Sequence, residues 1–279
     1  MTEKSLEYGQ NTLFVFGGCY SNLQATKRVL EIAHDLGFDS QRIICTGDVV
    51  GYCGQPEETV SLIRESGIRC ISGNVEIQLA NDAPDCGCNF EDGSRCDVLS
   101  RSWFPFAQSC LSPESISWMK QLPEHRIFEH DNRQIAVFHG AFDETSRFIF
   151  RSTPKEEKEQ QFQMTDSEII LCGHSGIPFV QRIGNKLWVN AGVIGMPAND
   201  GTTRCWFAIV NPEKLSAELH SFDYDFETAR QEMLKHPLPP SYAQTLQEGI
   251  WDNCEILPST ETKRQGIPLP TARHWITRE

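Results

Sequence analysis

The sequence predicts an α/β protein whose first half builds a parallel sheet. Three observations predict it. Short apolar runs alternate with amphipathic stretches between residues 13 and 71, and strand-like runs dominate from residue 125 onward. Four glycine-flanked polar residues, Asp48, Asn74, His139 and His174, each stand where a separate strand should end.

A strand over residues 13–16 opens the pattern, followed by a helix over about 22–36 with Val29, Leu30, Ile32 and Ala33 on one side. The next strand, 42–45, ends at Thr46-Gly47-Asp48. A helix over about 56–65 begins on Pro56 with acidic residues in its first turn, both good start signals. A third strand, 68–71, ends at Ser72-Gly73-Asn74 and completes the βαβαβ rhythm of a parallel sheet.

Residues 81–97, NDAPDCGCNFEDGSRCD, are polar and cysteine-rich and read as an inserted loop. Helices are expected near 98–109 and 113–121. Strands are expected near 125–129, 134–138, 168–172, 178–183, 186–190, 204–210 and 216–221, with a charged helix over about 154–163. Gly184-Asn185 joins two of these strands as a hairpin. From Phe226 the composition shifts, and residues 236–279 carry six of the fifteen prolines. The expected organisation is one domain over 1–225 and an extension over 226–279, made of one or two short helices that wrap it.

The 279 residues suffice for one large, well-buried domain, and 39% hydrophobic with 23% charged residues fits a globular protein. A net charge of −13 argues against a general nucleic-acid binder, whose footprint would be basic. It leaves room for a phosphorylated ligand, because a bound cation inverts the local field. No stretch approaches the roughly 20 apolar residues of a membrane helix, and the N-terminus lacks a signal-peptide run. A cytoplasmic location is therefore expected, where the eleven cysteines are thiols or ligands rather than disulfides.

Ligands of open α/β sheets gather where strands end and loops turn. A carboxylate, an amide oxygen and two imidazoles, delivered by Asp48, Asn74, His139 and His174, form a mixed O/N set suited to zinc, manganese or iron. The neighbouring glycines let the backbone turn sharply, so that the four side chains converge. Each dipeptide alone is as well explained by a turn or a structural histidine; their order and strand-end placement carry the reading.

In that order the chain resembles the calcineurin-like metallophosphoesterases, and most closely the small bacterial branch labelled phosphodiesterase or diadenosine tetraphosphatase-like. The branch pattern runs DxHGN, GDxVGYG, GNxD, HG, GHTH and NPGSVGQPR. This sequence reads Gly18-Cys19-Tyr20-Ser21-Asn22, Gly47-Asp48-Val49-Val50-Gly51-Tyr52-Cys53, Gly73-Asn74-Val75-Glu76, His139-Gly140, Gly173-His174-Ser175-Gly176 and Asn190-Ala191-Gly192-Val193-Ile194-Gly195-Met196-Pro197. The resemblance covers about residues 12–222. It implies an αββα two-sheet sandwich with the metal centre at one edge, here with a C-terminal helical extension. It also implies hydrolysis of phosphoesters.

The departures from the family pattern are concentrated. The resemblance assigns the second metal of the pair to Asp48, Asn74, His139 and His174, all retained. Three of the four ligands of the first metal are replaced, by Gly18, Tyr20 and Gly176. In a two-metal mechanism the ions lie roughly 3.5–4 Å apart and clamp the phosphoryl oxygens together. Val75 also stands where some relatives supply a proton-donating histidine.

Tyr20 either ligates a ferric ion as a phenolate, as a tyrosine does in the purple acid phosphatases, or packs into the emptied site. Cys53 and Glu76 are the further candidate ligands. Cys86, Cys88 and Cys96 form C-x-C-x7-C, a possible second metal loop of soft ligands. Asn22 keeps the family's position and is expected to orient phosphate, with Asp48 and His139 in catalysis. Arg147 and Arg151 either meet phosphate or pair on the surface.

These expectations describe a metal-dependent phosphoesterase with one divalent or ferric ion and a small phosphorylated substrate. The rival is a non-catalytic relative that binds a metal or phosphorylated ligand as a sensor or scaffold.

Overall fold

The computed structural model describes residues 8–88 and 90–276. The first half follows the expected alternation: β1 (Leu13–Phe16), α1 (Leu23–Asp35), β2 (Ile43–Cys45), α2 (Pro56–Ser66) and β3 (Arg69–Cys70). β1 pairs in parallel with β2, and β2 with β3. The third strand is half the expected length, because the chain turns at Ser72-Gly73 directly into a helix absent from the sequence reading, α3 (Asn74–Ala80). Asn74 therefore starts a helix rather than ending a strand. Helix α4 (Arg95–Cys110) begins before residue 98 and draws Cys96 out of the expected loop. Ser94 caps it by accepting a hydrogen bond from the Asp97 amide.

After α5 (Pro113–Met119) come β4 (His125–His130), β5 (Arg133–Phe138), α6 (Lys155–Thr165), β6 (Ile169–Cys172), β7 (Phe179–Ile183) and β8 (Lys186–Asn190). β9 (Cys205–Asn211) and β10 (Ser216–Phe222) return to the first sheet. The C-terminal segment departs from the expectation of one or two helices. It holds α7 (Phe226–Leu234), α8 (Pro240–Glu248), α9 (Ser259–Thr262) and an edge strand, β11 (Arg273–Trp275), parallel to β10.

Two sheets result, ordered β11-β10-β9-β1-β2-β3 and β4-β5-β6-β8-β7. Their side chains alternate as the two-residue period of a strand demands. Leu13, Val15, Ile44, Val210, Ile135, Val137, Ile169, Leu171, Leu187 and Val189 share one apolar layer, contributed by both sheets. Phe14, Phe16, Cys45 and Phe207 point the other way, into a second core with α1 and α2. Phe138, Ile170 and Trp188 pack with Phe162 of α6 in a third. The layers are helix, sheet, sheet, helix. Each buried large apolar side chain contributes roughly 1.5–3 kcal/mol. Among the described residues, no helix is long and apolar enough to cross a membrane, and all eleven cysteines are free thiols.

This arrangement sets the C-terminal ends of β2, β5 and β6 side by side across the two sheets. Thr46, just beyond β2, bridges them. Its hydroxyl lies 2.3 Å from where a Cβ on Gly17 would sit and 2.6 Å from one on Gly173, so both positions exclude any larger residue.

Candidate metal centre

Asp48 reaches the centre from a strained turn. Its own φ is +55°, and Gly47 before it has φ +91°. A Cβ on Gly47 would stand 2.5 Å from the Gly73 nitrogen, and one on Gly73 would stand 2.1 Å from Asp48 Oδ1. The two Gly-polar motifs interlock, and each glycine is required by the other's backbone or carboxylate. Left-handed backbone at a non-glycine residue costs of order 1–3 kcal/mol and persists only where the surroundings impose it.

Glu76 imposes it here. One carboxylate oxygen accepts from the amides of Asp48 and Gly73, both at 2.8 Å, and the other from Val50 at 3.1 Å. Burial, then the charge of Asp48, pushes Glu76 up to about 7. Three backbone amides hold its two oxygens, so it serves as the pin of both turns rather than as the extra ligand the sequence suggested.

His139 follows β5. Its Nδ1 donates to the Thr46 carbonyl at 2.7 Å, which leaves the Nε2 lone pair free. That nitrogen lies 3.1 Å from Asp48 Oδ2 and 3.1 Å from His174 Nδ1. His174 stands beyond β6 with φ +60°, its ring stacked on Phe148 at 4.2 Å. Asn190 clamps that turn, donating to the Gly173 carbonyl and the Ser175 hydroxyl, both at 2.8 Å. The ligand atoms of Asp48, His139 and His174 all lie within 4.8 Å of one another.

Asn74 turns its amide by the same logic. Its Nδ2 donates to the Cys86 carbonyl at 2.7 Å and meets Cys88 Sγ at 3.1 Å. Its Oδ1 is left buried with no partner among the described residues, as are Asp48 Oδ1 and His174 Nε2. Buried acceptors without partners carry the full cost of desolvation. The unpartnered oxygens of Asn74 and Asp48 fit a cation, as does the Nδ1 that His174 turns toward His139.

The ionisation states agree. Burial disfavours the Asp48 charge, yet the His139 and His174 imidazoles outweigh it and hold the carboxyl below its usual range. Burial, then the charge of His139, pushes His174 down to about 3, so it stands as a neutral imidazole with a lone pair to give. For His139 burial is overcome by the charge and hydrogen bond of Asp48, so its ring holds a proton more readily than a free imidazole, and a cation at Nε2 would take that proton's place.

The other candidates do not join them. Asn22 caps α1. Its Oδ1 accepts from the Ala25 amide, and its Nδ2 donates to the Gly195 carbonyl and the Tyr224 hydroxyl, so no polar atom is left to orient phosphate. Cys53 directs its thiol at the Gly195 carbonyl, 3.5 Å away. Cys86 and Cys88 hold their sulfurs 3.1 Å apart, but Cys96, lifted onto α4, turns to Asn253 instead. Among the described residues, Asp48, His139 and His174 form the one set of three such side chains close enough to share an ion, and the cysteine loop is not part of it. Arg147 pairs with Asp143 and Glu144, and Arg151 donates to the Val180 carbonyl.

Tyr20 is a packing residue in this geometry. A Cβ on Gly18, whose φ is +49°, would meet Val193 at 2.4 Å and the Tyr20 ring at 3.0 Å. Burial and then the charge of Asp48 hold the Tyr20 phenol well above its usual range. Beside it, Trp251 of the C-terminal segment covers Gly176. Trp251 lies outside every motif of the sequence, and Thr46 and Asn190 stand in motifs that do not disclose their roles as bridge and clamp.

A two-sheet α/β sandwich with a carboxylate and two imidazoles beyond its strand ends, and an amide at the start of the helix after β3, defines a metallophosphoesterase-type protein. The chain belongs to the calcineurin-like phosphoesterase superfamily, whose domain profile matches residues 14–214. Over 245 residues it is 24% identical to the uncharacterized protein MJ0912 of Methanocaldococcus jannaschii, covering 82% of this chain and 95% of that protein. Two solved structures share the fold. A metallophosphoesterase from Sphaerobacter thermophilus aligns with a TM-score of 0.68 at 21% identity, covering 87% of this chain and all of that one. The hypothetical protein PH1004 from Pyrococcus horikoshii aligns at 0.73 and 18%, covering 86% and 99%.

Proposed function

We propose that this chain hydrolyses a small phosphate mono- or diester at a centre that holds one ion through Asp48, Asn74, His139 and His174. The carrying observation is the cluster of ligand atoms of Asp48, His139 and His174 within 4.8 Å of one another, with Asn74 Oδ1 and Asp48 Oδ1 buried and unpartnered. Superfamily membership supports the phosphoester chemistry.

A divalent or ferric ion of manganese, iron or zinc bound there supplies Lewis acidity and lowers the pKa of water. The chain supplies the rest. Asp48 brings the negative charge, His174 a neutral imidazole, and His139 an Nε2 lone pair fixed by its bond to Thr46. The Cys86–Cys88 turn aims the Asn74 oxygen. Hydrolysis adds water across one P–O ester bond, releasing an alcohol and a phosphate that carries one more hydroxyl.

A specific observation favours the second reading, in which the ion or a phosphorylated ligand is bound without turnover. Where relatives place the first metal, this chain has Gly18 and Gly176, with Tyr20, Val193 and Trp251 filling the space beside them. Val75 offers no proton.

One experiment separates the readings. Purified protein is analysed for bound metal and assayed on a broad phosphoester panel beside Asp48→Asn. About one ion per chain with turnover that Asp48→Asn abolishes supports hydrolysis. Bound ion without turnover supports the binding reading. Full activity in metal-stripped Asp48→Asn would sink the single-ion centre.

A further inference from the structure

The cleft in front of Asp48 and His174 has walls unlike those of a site built for a highly charged ligand. Six aromatic residues line it: Tyr20, Tyr52, Phe90, Phe148, Tyr242 and Trp251. Among the described residues that line it there is no lysine or arginine, while Asp48 and Asp252 both do. Asp252 is neutralised from outside by Arg95 at 2.5 Å. The enclosed part of the cleft measures about 90 Å³ and the cleft opens to solvent, so one flat group fits beside the ion while the rest of a ligand stays outside.

The aromatic rings adjoin the ligand residues themselves. Phe148 stacks on His174, and Trp251 covers Gly176, two residues from that histidine. The Tyr52 ring bridges Tyr20 at 4.7 Å and Tyr242 at 4.8 Å, so one wall is continuous. Two of the six, Tyr242 and Trp251, come from beyond residue 214, where the superfamily match ends. The C-terminal segment thus supplies a face of the cleft that the shared domain does not.

From this wall we infer that the site takes a singly charged phosphodiester carrying a planar aromatic or apolar ester arm, with Trp251 and Tyr242 selecting the arm. The inference rests on the reading of the centre given above. A polyphosphate chain brings several negative charges, and here only the ion would meet them. The chain's net charge of −13 adds repulsion. A diester brings one negative charge, which the ion offsets, and a flat arm gains face and edge contacts with the rings. Desolvating such an arm is favourable, where desolvating a second phosphate without a counter-charge is costly. This selection runs against the diadenosine tetraphosphate that the sequence resemblance implies.

The test is calorimetric binding to the manganese-loaded full chain, so its outcome is independent of turnover. The probes are diphenyl phosphate, dimethyl phosphate and inorganic tripolyphosphate. Diphenyl phosphate should bind at least tenfold more tightly than dimethyl phosphate, and more tightly than tripolyphosphate. Trp251→Ala and Tyr242→Ala should each narrow the diphenyl-to-dimethyl ratio several-fold. The ratio is the readout because general loosening of the fold weakens both probes together. A native ratio near one, tighter binding of tripolyphosphate, or an unchanged ratio in both variants overturns the inference. Loss of turnover with the ratio intact overturns hydrolysis alone.

Discussion

The indole of Trp251 lies across Gly176, with Cη2 3.0 Å and Cζ2 3.1 Å from where a Cβ at position 176 would sit. Its Nε1 donates to the Pro197 carbonyl at 2.7 Å, and its backbone amide donates to Asn199 Oδ1 at 2.8 Å. A residue from the C-terminal segment is therefore fixed against the turn that carries His174. The glycine and the tryptophan suit each other, and neither motif inspection nor periodicity joins positions 75 residues apart.

Gly176→Ala meets two penalties, the tight contact with Trp251 and a φ of +73°. The expected loss is about 1–3 kcal/mol in urea denaturation. Combining it with Trp251→Ala removes the contact but leaves the φ. The double-mutant cycle should then show a coupling of order 1 kcal/mol. Additive effects would mean that the two residues do not constrain one another.

Asn74 depends on Cys88 for its orientation, since Nδ2 meets that sulfur at 3.1 Å. Partners that hold a metal ligand in place are worth roughly 10–100-fold in affinity. Cys88→Ala should therefore weaken manganese binding by about that factor in calorimetry. Cys88→Ser keeps an acceptor and should recover most of the loss. Equal affinity in the alanine variant would show that the Cys86 carbonyl holds the amide without the Cys88 sulfur.

Glu76 accepts from three backbone amides, those of Asp48, Gly73 and Val50. Glu76→Gln places an NH2 group where one carboxylate oxygen accepted, so at least one buried donor loses its partner. Each such loss costs about 1–3 kcal/mol. The expected result is a lower denaturation midpoint together with weaker metal binding, because both ligand turns loosen. A destabilised variant with unchanged metal affinity would detach Glu76 from the centre.

The fold was largely legible because strand and helix periods are local properties. Leu13 to Phe16 alternates between two cores, and this appears in the sequence as an unbroken apolar run. The four ligand candidates were legible because glycines flank them and each follows a strand. What escaped depends on distant chain. Asn22, Cys53 and Glu76 looked available because local sequence shows only part of what consumes their polar atoms; their other partners lie up to 202 residues away in the case of Asn22 and Tyr224. Helix α3 escaped because Asn74 closes a motif and, with Gly73 as the N-cap, opens the helix at once. Strand β11 escaped because its pairing partner is β10, while proline dominates its local signal.

His220 offers a test away from the centre. It is 2% exposed on β10, its ring stacked on Phe207 at 5.2 Å, and both ring nitrogens lack hydrogen-bond partners among the described residues. Burial, then the charge of Arg273, pushes it down to about 4. Glu218 stands 3.6 Å from Nε2, but that carboxylate is 63% exposed and screened by water, so burial prevails. The unfolded chain takes up a proton near pH 6.5, and the folded chain resists until about 4. Between those values the unfolded state binds more protons, so stability falls as the pH is lowered and is fully present above 6.5. His220→Leu removes that proton uptake. Urea denaturation at pH 7, 5.5 and 4.5 should show a shallower decline in the variant, by on the order of 2 kcal/mol across the window. Parallel declines in the two proteins would mean that His220 is protonated in the folded state as readily as in the unfolded one.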